Sequence, residues 1–200
     1  MYVLQYCSLG ETEDSIHTWN DKGIALGKLE RHEEAIACFE EAIRLDPENP
    51  KAWWNIGITF VQQGKYEEVV ACFDKIIKFD PKISSSWNNK GTALLRLERY
   101  EEALSCFEEA IRLDPEYSVA WNNKGSSLAS LGRHEEAIPC FEEAIRLDPE
   151  NSAAWNNKGT ALGELEKHEE SLACYDEVIR LDPEYLVALY SKGDSLRKLG

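Results

Sequence analysis

The sequence predicts an all-α protein, an α-solenoid built from antiparallel helix pairs. Three observations carry this. Tryptophan recurs every 34 residues, at Trp19, Trp53, Trp87, Trp121 and Trp155, and proline and cysteine keep the same interval at Pro47 to Pro183 and Cys38 to Cys174. A period of this length marks a stack of one small unit, not a globule around a single core. Within each period the apolar residues form two stripes at helical spacing. Each second stripe then meets Asp-Pro, whose ring blocks further helix.

The elements follow in order. Tyr2, Val3, Leu4 and Tyr6 read as a short capping segment, Gly10 to Asp14 as a loop, and Ser15 as the N-cap of the first helix. Residues 1–15 are thus an N-terminal segment, followed by five repeats at 16–49, 50–83, 84–117, 118–151 and 152–185. Residues 186–200 supply the first helix of a sixth, incomplete repeat. The fourth repeat shows the logic. Val119, Trp121, Leu128 and Leu131 form the first stripe, and Gly132-Arg133 make a turn. Ala137, Ile138, Phe141, Ala144, Ile145 and Leu147 form the second, with Glu135 and Glu136 in its first turn and Arg146 in its last, as the helix dipole prefers. Gly125, Ala137 and Ala144 let the helices approach, and Trp121 and Phe141 fill the space between them. Pro139 falls inside the second helix and should kink it. In the sixth repeat Leu189, Leu196 and Leu199 make an apolar face with no second helix to cover it. Repeat arrays need polar caps, so this face is expected either to meet more of the array or to pack on another molecule.

Composition narrows the function. Hydrophobic residues make up 43% of the chain, enough for a continuous core, and the net charge of −15 disfavours nucleic acid or an anionic membrane as partner. No apolar run approaches the roughly 20 residues a bilayer span requires. The start lacks the basic and long apolar stretches of a signal peptide. The five periodic cysteines should lie one helix-packing distance apart, roughly 8–10 Å, beyond disulfide reach. They read as reduced, buried thiols, which fits a cytoplasmic protein.

Trp-x2-Lys-Gly-x2-Leu, then Ala-x3-Phe, then Pro, resembles the tetratricopeptide repeat. The resemblance covers residues 16–199 and implies a right-handed superhelix whose first helices line a concave groove. One departure recurs: the leucine before the family's glycine is Lys22, Lys90, Lys124, Lys158 and Lys192 here. Their stems are expected to pack while the ammonium reaches a nearby carboxylate.

If first helices line a groove, the side chains left over from packing are the binding surface. Two asparagine rows qualify. Asn88, Asn122 and Asn156 form the first, with Asn20 in repeat one; Asn55, Asn89, Asn123 and Asn157 form the second. Thr92, Ser126 and Thr160 share the face one turn on. Asparagine both donates and accepts, so a row of it can hold an extended backbone whatever the side chains. The second row resembles the asparagine ladder of O-linked N-acetylglucosamine transferase, a resemblance that implies peptide binding. The six first-helix segments carry +7 and everything else −22, so the groove is expected to be mildly basic and to favour an extended, neutral to acidic peptide.

Repeat two breaks the pattern. Trp54 replaces the first asparagine and should point to the groove near Ile24, Ile58 and Val61, either as a binding hot spot or lying flat on a neighbouring helix. No catalytic constellation, metal set or cofactor motif appears. His32, His134 and His168 share one repeat position and read as packing or surface residues. The terminal-carboxylate clamp of some family members is not matched, since its basic positions hold Asn20, Trp54, Asn88 and Asn89. The reading is therefore a non-enzymatic scaffold for protein–protein interaction. The alternative is a self-association module or the regulatory arm of a larger enzyme or secretion assembly.

Overall fold

A computed structural model describes the backbone of residues 2–199 and the side chains of residues 15–199. Among the described residues there are eleven helices and no strands. They are α1 (Tyr2–Lys28), α2 (His32–Leu45), α3 (Pro50–Gln62), α4 (Tyr66–Phe79), α5 (Ser84–Arg96), α6 (Tyr100–Leu113), α7 (Ser118–Ser130), α8 (His134–Leu147), α9 (Ser152–Glu164), α10 (His168–Leu181) and α11 (Leu186–Leu199). The chain divides into two units, Met1–Leu97 and Glu98–Gly200. In the first, α1 pairs with α2 and α3 with α4, α2 packs on α3, and α5 closes against α4. In the second, α6 packs on α7, the pairs α7–α8 and α9–α10 follow, and α11 packs on α10. Each unit is a helical-repeat solenoid.

The core of each pair is an aromatic ring pressed against a glycine. A Cβ on Gly23 would stand 2.4 Å from the Phe39 ring, one on Gly125 2.6 Å from Phe141, and one on Gly159 2.9 Å from Tyr175. Phe39, Phe141 and Tyr175 are buried. Gly57 is less tight, with Phe73 at 3.1 Å. Alanines complete the contact from the second helix: Ala35 and Ala42 in α2, Ala137 and Ala144 in α8, all fully buried.

The tryptophan and proline intervals turn out to be one interaction. The indole Nε1–H of Trp53 donates to the Pro47 carbonyl at 3.0 Å, Trp87 to Pro81 at 2.9 Å, Trp121 to Pro115 at 3.0 Å, and Trp155 to Pro149 at 3.1 Å. The aspartate before each proline closes the loop from the other side. Its carboxylate accepts the backbone N–H two residues on, from Glu48, Lys82, Glu116, Glu150 and Glu184. This local turn satisfies groups that the helix end leaves open. Asn49 and Asn151 cap the next helix, accepting from Ala52 at 3.1 Å and Ala154 at 3.0 Å. Inside each pair, the turn residue is left-handed: Gly64 and Gly132 in two, but Glu30, Glu98 and Glu166 at φ 59° in three.

Two expectations need correction or comment. No loop interrupts Gly10 to Asp14, and Ser15 does not cap a helix; α1 runs unbroken from Tyr2 to Lys28. The chain has no proline before Pro47, and a lone interior glycine costs only about 1 kcal/mol, too little to stop a helix. The proposed capping side chains of Tyr2, Val3, Leu4 and Tyr6 lie outside the described side chains. Pro139 sits within α8, which continues from His134 to Leu147, and its ring is on the exposed side. Proline lacks the N–H that would reach the Glu135 carbonyl, so one rung is missing there.

Cys38, Cys72, Cys106, Cys140 and Cys174 are free and buried. Burial pushes the Cys72 thiol up to about 12 and that of Cys174 to about 11, so both stay protonated at neutral pH and pack as small apolar groups. Among the described residues no helix is long and apolar enough to cross a membrane.

Gly125→Ala should destabilise the protein. Overpacking costs about 1–3 kcal/mol, and the helix-propensity gain of about 1 kcal/mol offsets only part of it. Gly57→Ala should be near neutral, because its neighbour has only tenths of an ångström to give. Urea unfolding midpoints of the two variants decide the order.

Candidate functional site

The asparagine rows come from the first helix of each repeat, and the structure gives them two kinds of neighbour. In the N-terminal unit, Asn55 Nδ2 donates to Asn20 Oδ1 at 3.5 Å, and Asn20 Nδ2 donates to the Ile16 carbonyl at 3.2 Å. In the C-terminal unit, Asn157 Nδ2 donates to Asn122 Oδ1 at 3.1 Å and to Ser126 Oγ at 3.4 Å. The second asparagine of one repeat is therefore stapled to the first asparagine of the repeat before it, 35 residues back. In Asn55 this uses one donor and leaves the oxygen and second N–H; in Asn157 both acceptors are served by the amide nitrogen and the oxygen is left.

The first row is more buried than its partner. Asn88 is 4% exposed and Asn156 9%, so these two offer a partner little surface. Asn122 is half-buried, as are Asn55, Asn89, Asn123 and Asn157. The hydroxyls one turn on bond back to their own helix: Thr92 Oγ1 to the Asn88 carbonyl, Ser126 Oγ to Asn122, Thr160 Oγ1 to Asn156, at 2.9–3.0 Å. The staple fails where its acceptor or donor is replaced. Trp54 stands where Asn89 would find an oxygen, and among the described residues no side-chain partner of Asn89 is seen. Ser191 stands where an asparagine would reach Asn156, and Asn156 Oδ1 is buried without a partner.

Between successive first helices lies a cleft with the second-row asparagine on its floor. In the N-terminal unit the cleft is about 220 Å³, between Gly23, Ile24 and Gly27 of α1 and Asn55, Ile58 and Thr59 of α3. Ile24 and Asn55 also line an adjoining cavity of about 280 Å³, walled by Trp54, Pro50, Lys51 and Ile83. Ile24 and Ile58 are 42% and 39% exposed. Trp54 is half-buried, with its ring edge-on to Phe73 at 5.2 Å between centroids and 86° between planes. It thus packs on α4 and walls the cleft at once. The charged residues lining these two cavities are Lys28 and Lys51. The C-terminal unit repeats the geometry at about 220 Å³, with Asn157 on the floor, but Ser126 and Thr160 take the places of Ile24 and Ile58. The two clefts share one backbone plan and differ in this pair of side chains, aliphatic in one and hydroxyl-bearing in the other.

The recurrent lysines do not face these clefts. Lys90 pairs with Asp74 at 2.6 Å, Lys124 with Glu108 at 3.1 Å and Lys158 with Glu142 at 2.9 Å, and Lys192 meets Asp176. Their ammonium groups also sit over Trp87, Trp121 and Trp155, about 6 Å from the ring centroids. Much of the first-helix positive charge is thereby committed to second-helix carboxylates, and only the rim lysines remain for the cleft. Both networks have a sequence signal beyond the 34-residue period: asparagines offset by 35, and a carboxylate 16 before Lys90, Lys124, Lys158 and Lys192. Among the described residues no group of three or more His, Cys, Asp or Glu is placed to hold a metal ion.

Paired helices repeating around glycine–ring contacts, with polar clefts between first helices, define a helical-repeat interaction scaffold. Profiles of the tetratricopeptide repeat match residues 88–152, 125–185 and 156–200, and two more, described as a TPR repeat and a tetratricopeptide repeat, match 23–64 and 50–83. The chain belongs to the tetratricopeptide repeat family, whose members mediate protein–protein interactions and are typically non-catalytic. No curated protein sequence matches it. Among solved structures it is similar to YrrB, a TPR protein with an unusual peptide-binding site, at 24% identity and a TM-score of 0.75 over 94% of this chain and 97% of that one. It is also similar to MamA, from residue 41 to its end, of Desulfovibrio magneticus RS-1 (23%, TM-score 0.79, 86% and 97%). A third is TTC0263, a thermophilic TPR protein of Thermus thermophilus (20%, TM-score 0.70, 92% and 100%). At these identities the likeness is one of fold.

A double-mutant cycle on Asn122→Ala and Asn157→Ala should show coupling of about 0.5–1.5 kcal/mol, the net worth of one hydrogen bond. Chemical unfolding of the two single variants and the double variant measures it.

Proposed function

We propose that the protein is a non-enzymatic scaffold that holds an extended peptide segment along its first helices. The observation that carries this is the N-terminal cleft, where Asn55 lies between two apolar hollows walled by Ile24, Ile58 and Trp54. An asparagine with a free oxygen and one spare N–H can bond a peptide backbone. Exposed aliphatic side chains beside it offer places for apolar side chains, the arrangement of a binding hot spot. In the C-terminal unit Asn157 with Ser126 and Thr160 would hold a polar stretch. Asn89 and Asn123 extend the same row, and Thr92 the hydroxyl row; Asn88, Asn122 and Asn156 act mainly as supports for it. That YrrB has a peptide-binding site is consistent with this use of the fold.

The segment is neutral to acidic. Lys28 and Lys51 are the charged residues of the N-terminal cleft, and they repel a basic peptide. The net charge of −15 argues against nucleic acid and anionic membrane surfaces. Five free, buried thiols fit a reducing, cytoplasmic setting.

Peptides selected from a lysine-free random display library on the wild-type protein should carry aliphatic or aromatic residues and few arginines. Their affinity should drop at least about 10-fold on Ile58→Asp, the loss expected when a hot-spot contact worth over about 1 kcal/mol is removed. Enrichment of basic peptides, or unchanged binding to Ile58→Asp, would end this reading.

A second reading has its own observation. Leu186, Val187, Leu189, Tyr190, Leu196 and Leu199 of α11 are all exposed, more apolar surface than one solvated helix ordinarily shows. Self-association through α11 covers it. Sedimentation across a range of concentrations should then give a dimer that Leu189→Glu together with Leu196→Glu returns to monomer; a monomer throughout excludes it.

A further inference from the structure

On the tryptophan side of the first helices a receptor for an alkyl-ammonium group recurs. Its parts are an indole face, a carboxylate on the preceding second helix, and apolar walls between them. In repeats three to five the chain fills it with its own lysine. Lys90, Lys124 and Lys158 lie over Trp87, Trp121 and Trp155 at 5.9, 5.8 and 6.0 Å, and bond Asp74, Glu108 and Glu142. These lysine side chains are only 20–23% exposed, so stem and head are both engaged. The indole supplies cation–π attraction and the carboxylate a charge-assisted hydrogen bond.

Repeat two keeps the receptor and lacks the lysine. Ile56 stands at the lysine position. Trp53 is held in place by its bond to the Pro47 carbonyl. Glu40, sixteen residues before Ile56, occupies the place of Asp74, Glu108 and Glu142, and among the described residues it has no ion pair. Glu40, Trp53 and Ile56 line one cavity of about 360 Å³, whose other walls include Phe60, Glu68 and Lys75. Lys75 is itself a departure: the same position in other repeats is Glu41, Glu109, Glu143 and Glu177. The rim therefore holds two carboxylates and one ammonium.

We infer that this cavity binds a lysine side chain presented by a protein partner, with the stem against Trp53 and Ile56 and the ammonium on Glu40. The four-carbon stem with a terminal cation is what the sibling repeats place on the same indole–carboxylate pair. Ile56 shortens the chain's own side chain and removes its charge, so that the indole face and the carboxylate are open to one from outside. The site lies on the stripe of α3 formed by Trp53, Ile56 and Phe60, away from the stripe carrying Asn55 and Ile58. It is independent of the peptide cleft, and one partner can engage both faces of repeat two.

The test uses the indole N–H signals of the intact chain by nuclear magnetic resonance, assigned by Trp→Phe replacement. Nα-acetyl-lysine methylamide is titrated to about 50 mM, since a ligand of this size binds no tighter than roughly millimolar. The Trp53 signal should move and saturate while those of Trp87, Trp121 and Trp155, covered by their own lysines, stay still. The uncharged norleucine analogue should bind at least about 10-fold more weakly, as expected for loss of a charge-assisted bond. Ile56→Lys should abolish the shift by supplying the lysine internally, and Glu40→Gln should weaken it to the norleucine level. Glu40 is exposed, so that variant decides the matter even if Ile56→Lys fails to fold. A still Trp53 signal, equal movement of all four indoles, or equal binding of norleucine would each overturn the inference.

Discussion

Everything else in this molecule follows from how closely the first and second helix of a repeat approach. That distance is set by a ring lying where a β-carbon would be. With Phe39 on Gly23, Phe141 on Gly125 and Tyr175 on Gly159, the helix axes come near enough for alanines to fill the rest of the interface. Protein interiors are packed to crystal density, so the contact allows little latitude in the angle or register of the pair. Each repeat then presents its first helix in the same attitude, and residues 34 apart acquire equivalent surroundings. The asparagine staples and the lysine–indole contacts depend on that equivalence.

The fold was legible in the sequence because its determinants repeat. Tryptophan, glycine, phenylalanine and the Asp-Pro turn recur in step, and repetition of a helical pattern has few structural solutions. The site was only partly legible. The asparagines stood out by type and spacing, but their mutual hydrogen bonds depend on a one-residue offset between neighbours that a period of 34 conceals. That the recurrent lysines reach carboxylates was legible, but their count also entered the groove's charge, because net charge says nothing about which side of a helix an ammonium lies on. Trp54 could be flagged as out of place, yet whether it packs or lines depends on Phe73, a residue of another helix. The full length of α1 was hidden because Gly10 and the acidic residues after it resemble a turn, and local propensity is a weak guide to helix boundaries.

The two sides of α3 illustrate how a repeat acquires individuality. Repeat two retains the glycine, the phenylalanine and the Trp53–Pro47 bond, so its fold is unaltered. Its differences lie partly in the core, where Val69 and Ile76 replace alanines and Ile56 is buried, and partly outside it, at Ile58 and Lys75. They put aliphatic side chains beside Asn55 on one side and leave an indole and a carboxylate without a lysine on the other. Divergence of this kind changes what a repeat can recognise while the glycine–ring contact and the tryptophan–proline bond are kept.

The asparagine staples also shape how the array comes apart. Stability in a stack is divided between repeats and the interfaces that join them. An interface with a staple resists opening more than one without. The joint between α3 and α5, where Trp54 offers Asn89 no oxygen, and the joint between α9 and α11, where Ser191 leaves Asn156 unsatisfied, are the unstapled seams of their units. With other packing equal, amide protons beside such a seam should exchange by small local openings ahead of those in a stapled stretch. Single residue choices on a repeated scaffold thus decide which joints carry this extra bond.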